Sequence, residues 1–480
     1  MIVGLGFAST MAFIAGLTIY FLGLIVSCQI KDLEKLEHAG IFSIILLLCN
    51  LAFFSSREII PLVDASFAFY VVVLVDLAVL VLRKSRLQQT NLNIPYKWSV
   101  GFFLITIVLS ALSAETIKDV IYYFVVYLFA LVLFYVALNL ISNKSSVVTI
   151  IKAIFGISLA SSLIAIWQLY SATFKSFYYP FIASRDQEIL ELWEVVSRVV
   201  GTWQHPSYLG IIIAASIPIG LYLLLYETKN RSWKVIIAFM VIVISAVLLL
   251  TNTRSSVISA VIGVVVLFWF SRNARGRALP TMREFAIIGT VAACSLLLYQ
   301  FVFVAEIYTK PQAWRVDASA TIWGRFLRSD RMSTESLVQR SQLYSLAWQE
   351  FTDHPVVGIG GKNFPYVVEG IFERGTDAHN IFLQTLAETG IIGFLALLLL
   401  YGKLLKDVLS KTGKEADQAL KAVLAAVLIV ILFDSLFNNP LYSLRILAVF
   451  WLIAGLLIVK QNLFVSSSET SFKKSLPAGI

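Results

Sequence analysis

Apolar runs of about twenty residues, separated by short polar breaks, recur along the whole chain. A membrane-spanning α-helix needs about 20 mostly apolar residues, so each run is a candidate span. The pattern gives about thirteen spans, of which 40–55 and 98–113 are short, and twelve is an equally consistent count. They are 3–29, 40–55, 63–82, 98–113, 119–141, 147–170, 207–226, 234–250, 255–270, 285–305, 381–402, 419–437 and 443–460. The predicted fold class is all-α: a polytopic membrane helical bundle of about 12–13 spans with a large, mostly helical extracytoplasmic loop.

The composition agrees with a membrane bundle. Hydrophobic residues make up 59% of the chain and charged residues 14%, against about 25% charged residues in soluble domains. The first run has no basic segment before it and is longer than the 7–15 apolar residues of a secretory signal, so we interpret it as a retained span. The cysteines Cys28, Cys49 and Cys294 have no paired spacing, and therefore indicate neither a disulfide framework nor a zinc site.

The basic residues predict the orientation in the membrane. Short loops rich in Lys and Arg stay in the cytoplasm, and such loops fall on alternate connections, at 83–97, 229–234, 272–283 and 403–414. The net charge of +9 is thus mostly a topology signal, and no basic soluble face suggests nucleic-acid binding. The outer face then holds 171–206, Asn252–Arg254, 306–380 and Asn438–Ser443.

These boundaries divide the chain into six segments. They are the N-terminal spans 1–170, the outer loop 171–206, the central spans 207–305, the large outer loop 306–380, the C-terminal spans 381–460 and a cytoplasmic tail 461–480. In the loop 171–206, apolar residues at helical spacing predict a surface helix, with Ile189, Trp193, Val196 and Val200 on one face. Pro206 suits the first turn of the helix that follows.

The long outer loop carries the most informative polar pattern. A helix is predicted at 334–352, with Leu337, Tyr344, Trp348 and Phe351 sharing one face with Arg340. The helix should stop before Pro355. Glycines at 358, 360 and 361 then allow backbone conformations that other residues avoid, and such a turn can expose N–H groups to phosphate.

Four side chains at the outer face are candidates for chemistry. Arg198, Arg254 and Arg340 could bind phosphate, because the planar guanidinium fork matches its oxygens. The alternatives are a solvated loop arginine, or for Arg254 an arginine that reaches to lipid headgroups. His379 could accept a proton near neutral pH, or could simply be a polar residue where a span begins. No metal-binding spacing occurs among the four histidines, so neither a metal nor another cofactor is predicted.

These motifs together resemble the O-antigen ligase and O-antigen polymerase superfamily of the bacterial envelope. The resemblance rests on Arg198 to Gly210, Thr251 to Ser256, Arg340 with His354-Pro355 and Gly358 to Phe364, and His379-Asn380 with Glu388, Gly390 and Gly393. It covers about 195–400. Ser207 stands where many relatives have asparagine.

The resemblance implies a metal-independent glycosyltransferase in the bacterial cytoplasmic membrane, with its active site on the outer face. It would move a glycan from undecaprenyl diphosphate to an acceptor hydroxyl. The implied partners are a lipid-linked oligosaccharide donor, a glycan or lipid acceptor, membrane lipids and other proteins of envelope polysaccharide synthesis. His379 would be catalytic, while Arg254, Arg340 and Arg198 would bind the donor diphosphate. Site-shaping roles would go to Pro206, Gly358, Gly360, Asn380 and Glu388. No feature marks a lipid A partner, which favours a polymerase or a general ligase-like transferase.

Two other functional classes stay open at this point. A transporter or flippase for lipid-linked sugars could use Asp76 and Asp434, which fall inside apolar runs. A scaffold of an envelope-synthesis complex would leave the arginines and His379 unexplained.

Overall fold

The computed structural model of the chain describes residues 32–53, 58–60, 63–169, 198–203, 205–274, 281–309, 331–369, 376–410 and 415–475. Its N-terminal half contains α1 (Leu33–Phe53), the short strands β1 (Glu58–Ile60) and β2 (Val63–Asp64), α2 (Ala65–Gln88), α3 (Lys97–Leu109), α4 (Ile117–Leu140), α5 (Lys144–Gln168), α6 (Pro206–Tyr222) and α7 (Arg231–Leu250). The remaining elements are α8 (Arg254–Ala274), α9 (Met282–Thr309), α10 (Arg331–Asp353), α11 (Phe364–Glu369), α12 (Ile381–Leu409), α13 (Glu415–Asp434) and α14 (Leu444–Ser475). Apart from one short antiparallel pair, β1 with β2, the regular structure of these residues is helical.

The predicted all-α membrane bundle is confirmed. Each predicted span from 40–55 onward overlaps a helix of the described residues, and 3–29 lies outside them. Within the described part, eight helices are long and apolar enough to cross a membrane, and Lys97–Ser113 and Leu444–Val459 are shorter apolar helices. The last helix continues to Ser475, so most of the predicted tail 461–480 extends α14.

Burial separates central helices from peripheral ones. In the most apolar window of α6, 89% of the residues are buried, against 17% in that of α9, so α6 lies inside the bundle and α9 at its edge. The helix α13 packs closely on α8. A Cβ at Gly263 of α8 would lie 2.4 Å from Cγ2 of Val430. Small residues at helix contacts allow this close approach, which provides much of the attraction between helices in lipid.

The helix α12 is interrupted inside its apolar length. Gly390 has φ 63° and ψ −167°, a conformation that essentially only glycine adopts. The loop after α10 fills the break. The N–H groups of Ile359 and Gly360 donate to the carbonyls of Ala387 and Glu388 at 3.0 and 2.9 Å, and Ile391 N–H donates to the carbonyl of Pro355 at 2.9 Å. Backbone groups at the break therefore find hydrogen-bond partners within the protein, as non-helical backbone inside a membrane requires.

This loop also builds a second, smaller apolar core. The core joins α10, the loop, α11 and the start of α12, through Leu343, Ala347, Ile359, Phe364, Val368, Ala378 and Ala387. The described parts of the long loop thus fold as a cap on the end of the bundle at which α6, α8 and α12 begin and α13 ends.

Candidate active site

One cavity of about 230 Å³ opens where the cap meets the helix ends. It is lined by His205, Ser207, Tyr208, Pro365, Thr376, Asp377, His379, Asn438 and Asn439. These residues come from the start of α6, the start of α11, the segment before α12 and the link after α13. Most carry hydrogen-bonding side chains, so the cavity suits a polar ligand.

His379 lies in the wall of this cavity, in the left-handed backbone region with φ 52°. Asn380 holds it there as the N-cap of α12. The Asn380 Oδ1 accepts from the N–H groups of Phe382 and Leu383 at 3.0 and 3.1 Å, and its Nδ2 donates to the carbonyl of Leu436 at 3.1 Å. Capping of this kind typically contributes about 1 kcal/mol. The position of the imidazole is therefore set by the start of α12.

The surroundings of His379 keep its imidazole neutral. Burial lowers the pKa of His379 below its ordinary value of 6.5, and the charge of Arg340 lowers it further, while Asp377 acts in the opposite direction. Neutral imidazole can accept a proton, whereas imidazolium cannot. Within the described residues, neither the His379 ring nor the Arg340 guanidinium makes a hydrogen bond or an ion pair.

His205 is a second neutral imidazole in the same wall. It is the N-cap of α6, and its Nδ1 accepts from Ser207 N–H at 3.1 Å. Burial, and then the charge of Arg198, lower the pKa of His205 to about 3. Because Nδ1 is an acceptor, the ring proton is on Nε2. The helix begins at Pro206, as the position of that proline predicts.

Arg340 lies on the inner side of α10, although the predicted stripe on that helix was partly wrong. The buried positions are Leu343 and Ala347, three and seven residues after Arg340, and Trp348 is 54% exposed. The side chain of Leu337 is outside the described residues. The aromatic residues of the helix therefore predicted the wrong buried face. The apolar core of the cap is small and does not extend to Trp348.

Arg198 and Arg254 meet at the turn before α8. The Arg198 Nε donates to the carbonyl of Thr251 at 3.0 Å, and its Nη2 to Thr253 Oγ1 at 3.2 Å. Arg254 is the first residue of α8 and is exposed. Burial, then the charge of Arg340, lower the pKa of Arg198 to about 10. Arg198 therefore remains protonated at neutral pH, supports the turn that presents Arg254, and lies within electrostatic reach of Arg340.

The sequence suggested that the glycine turn could present its N–H groups to a phosphate. The structure shows that it does not. Gly358 and Gly360 have φ 71° and 101°, as predicted for such glycines. However, the backbone N–H groups from Gly358 to Phe364 all donate within the protein. The turn instead packs on α12, since a Cβ at Gly358 would lie 2.3 Å from the carbonyl carbon of Glu388.

Glu388 is fully buried behind the cavity. Its carboxylate accepts from Lys362 N–H at 2.9 Å, Phe364 N–H at 3.4 Å, Gln384 Nε2 at 3.0 Å and the hydroxyl of Tyr442. It thereby joins the glycine turn, α12 and the link before α14. The Gln384 Nε2 also donates to Asp377 Oδ1 at 3.2 Å, which connects Glu388 to the cavity wall.

The two intramembrane aspartates considered for transport have polar partners in the protein. Asp434 is the last residue of α13, and its Oδ1 accepts from Ser256 Oγ at 3.2 Å and its Oδ2 from Asn438 Nδ2 at 3.0 Å. Asp76 accepts from Ser43 Oγ at 2.8 Å. Asp434 thus lies at a helix end, where it ties α13 to α8.

The structure brings together some predicted residues and adds others. His379 lines the cavity, Arg340 and Arg198 lie near it, and Arg254 precedes Ser255, whose Oγ accepts from Asn438 Nδ2 at 2.7 Å. Of the nine residues that line the cavity, the sequence prediction named His379 as a site residue and missed the other eight. The missed residues include His205, Asp377, Asn438 and Asn439. The polar pair Asn438-Asn439 between two apolar runs could have indicated part of this wall. Of the predicted surface helix, Ile189, Trp193 and Val196 lie outside the described residues. Val200 is described, and it is buried in a non-helical segment.

Comparison with known proteins supports the resemblance. Residues 239–398 match the family model described as O-antigen ligase, and no match was found among curated proteins. The match supports a multi-pass membrane protein with a role of glycan ligase or polymerase type. Arg254, Arg340 and His379 lie inside the matched segment. Residues 239–398, a third of the chain, are therefore similar to the O-antigen ligase family, as their motifs predicted.

Proposed function

We propose that this protein transfers a glycan from undecaprenyl diphosphate to an acceptor hydroxyl at the outer face of the bacterial cytoplasmic membrane. The observation that carries the proposal is the proximity of a neutral His379 and the cation Arg340 beside one polar cavity, within a segment of the O-antigen ligase family. A lipid diphosphate needs cations at its phosphates, and the acceptor hydroxyl needs a base.

Arg340 and Arg254 would bind the diphosphate, and Arg198 would position the turn that carries Arg254. Burial, and then the charge of Arg340, lower the pKa of Arg198, and a doubly charged anion would relieve the repulsion between these two cations. Arg254 lies at the N-terminus of α8, where the helix dipole adds to the attraction for an anion. Preorganised cations at a forming anion are typically worth a few kcal/mol each.

His379 would accept the proton of the acceptor hydroxyl as the hydroxyl oxygen attacks the anomeric carbon. The bond from that carbon to the diphosphate oxygen breaks, and undecaprenyl diphosphate leaves with the bonding electrons. General-base contributions of this kind typically reach about 10²–10⁴-fold. Two arginines at the leaving group would take the part that a metal ion plays elsewhere, so we infer metal-independent transfer.

The test is the product pattern of purified protein incubated with undecaprenyl-diphosphate-linked oligosaccharide. A ladder of products identifies a polymerase, and one glycan added to a separate acceptor identifies a ligase. His379→Ala should lose most of the rate while donor binding persists, and the matched control His354→Ala, at an exposed histidine outside the cavity, should keep it. The proposal fails if wild-type protein forms no product, or if EDTA abolishes the reaction and magnesium restores it.

A further inference from the structure

One carboxylate lies in the wall of the cavity, and the proposed function gives it no task. Of the described residues that line the cavity, Asp377 alone has a carboxyl side chain. Its charge acts on His379 and on Tyr208, which lie in the same wall. The carboxylate is therefore close to the imidazole that would take the proton of the acceptor.

Hydrogen bonds fix one oxygen of Asp377 and leave the other one accessible. Ala378 N–H, which can only donate, lies 2.9 Å from Gln384 Oε1. Gln384 therefore directs its Nε2 to Asp377 Oδ1, at 3.2 Å. No described residue donates to Asp377 Oδ2, and this oxygen keeps accessible surface. Because Asp377 lines the cavity and Gln384 does not, the accessible oxygen is the one that faces the cavity.

This oxygen and its surroundings suit a sugar ring. An ionised carboxylate only accepts hydrogen bonds, so Oδ2 requires a ligand that donates one, and such charged bonds are stronger than neutral ones. A water molecule takes up about 30 Å³ of liquid, so a cavity of about 230 Å³ holds several waters or one sugar ring. The rings of His205 and Tyr208, with centroids 5.4 Å apart, lie in the same wall. Ligand sites typically combine such rings with a few polar groups, and here the rings can pack against the C–H face of a sugar.

We propose that Asp377 Oδ2 accepts a hydroxyl of the acceptor sugar beside the hydroxyl that His379 deprotonates, and that Asp377 thereby selects a sugar that is neutral at this position. The assignment to the acceptor rests on the proposed function, in which His379 acts on the acceptor and Arg340 binds the donor diphosphate. A sugar carboxylate at hydrogen-bond distance from Asp377 would bring two like charges together, which disfavours an acidic sugar.

The first experiment measures binding without turnover. Purified protein in lauryldimethylamine oxide, a detergent without sugar groups, is examined at pH 7 by saturation-transfer NMR with D-glucose, D-galactose, D-mannose and the uronate of each. At least one neutral sugar should bind wild type more tightly than its own uronate. Asp377→Asn keeps Oδ1 for Gln384 and replaces Oδ2 by an amide nitrogen, which cannot accept. Binding of the neutral sugar should weaken roughly tenfold, and its advantage over the uronate should disappear.

The matched control is Asp353→Asn. It makes the same change of charge at the exposed end of α10, outside the cavity wall, and should leave both the binding and the preference unchanged. Melting midpoints in the same detergent verify that the variants are folded. An equal loss of neutral sugar and uronate in Asp377→Asn would overturn the proposal, because Asp377 would then only support the cavity wall. Tighter binding of the uronates by wild type, which needs no variant, would also overturn it, as would the absence of any bound sugar.

The second experiment assigns the sugar to the acceptor. In a transfer assay, Asp377→Asn should raise KM for the acceptor roughly tenfold and leave KM for the lipid-linked donor unchanged. A rise in KM for the donor alone would contradict the assignment to the acceptor. A change in neither would refute the inference while leaving the proposed function intact. Conversely, sugar binding that depends on Asp377 in a protein that transfers no glycan would refute the proposed function and leave the sugar site standing.

Discussion

Replacing Gly390 by alanine should destabilise the protein and disorganise its site. The backbone of Gly390 has φ 63° and ψ −167°, a region that costs a side-chain-bearing residue about 1–3 kcal/mol. A Cβ there would lie 2.3 Å from the carbonyl oxygen of Val356 and 2.6 Å from the nitrogen of Val357. These are backbone atoms, which cannot rotate away, so overpacking adds about 1–3 kcal/mol. The expected loss is about 2–6 kcal/mol, a large part of the roughly 5–15 kcal/mol that folded proteins possess.

Gly402 provides a matched control in the same helix. A Cβ at Gly402 would meet no atom within 4 Å, so Gly402→Ala should be neutral or stabilising by about 0.5–1 kcal/mol, the usual gain in a helix interior. Thermal unfolding of both variants in one detergent, followed by loss of the monodisperse peak in size-exclusion chromatography, compares them directly. Transfer activity should fall only in Gly390→Ala. Equal melting midpoints would show that the break in α12 is not held by the loop 355–361.

Four further predictions concern the charges and topology of the site. The acid limb of kcat/KM for the donor should lie below pH 6.5, because burial and Arg340 lower the pKa of His379 and activity needs its neutral form. Arg340→Gln should move this limb to higher pH and Asp377→Asn to lower pH, whereas Arg340→Lys should leave it in place; movement in the opposite directions would exclude His379 as the base. Arg254→Lys should have strongly reduced turnover, because lysine cannot bind a phosphate through two parallel N–H groups. The control Arg86→Lys, at an exposed position, should keep wild-type turnover. Normal turnover by Arg254→Lys would show that Arg254 only contacts lipid headgroups. Cysteines introduced at Ser341 and Thr352, in a background without native cysteines, should react with an impermeant thiol reagent in spheroplasts, and one at Thr90 only after lysis; the reverse pattern would invert the topology. The acid limb of kcat should lie at higher pH than that of kcat/KM for the donor, as measured from full rate profiles over pH, and coincident limbs would contradict a diphosphate bound at Arg340.

The sequence predicted the spans and several local features because these depend on local physics. Hydropathy located the apolar helices from α1 to α9 and from α12 to α14, whereas the short helix α11 was not predicted. The helix predicted at 334–352 is observed at Arg331–Asp353, since Pro355 prevents its continuation. The left-handed backbone of Gly358 and Gly360 also followed from residue type.

Other features depend on partners far away in the chain and could not be predicted. Gly390 lies in an apolar run, and nothing nearby indicates that its helix opens. The break requires the carbonyls of Pro355 and Val356 to replace the lost helical acceptors. In the same way, the glycine turn resembles a phosphate loop until Ala387 and Glu388 of α12 are seen to accept its N–H groups. The hydrogen bond from Asn439 Nδ2 to Gln384 Oε1 likewise joins residues that are far apart in the sequence.

The arrangement of charges links donor binding to the strength of the base. Burial, and then the charge of Arg340, lower the pKa of His379, so the imidazole is a weak proton acceptor. A diphosphate at Arg340 would bring compensating negative charge and cancel this effect, because an opposite charge nearby favours the protonated form of histidine. His379 would then be more basic when donor is bound than when it is absent. A base that strengthens only beside a loaded donor removes the acceptor proton when there is a glycan to transfer. Arg340 would thus serve both halves of the reaction, first as a ligand of the diphosphate and then as the charge whose neutralisation activates His379.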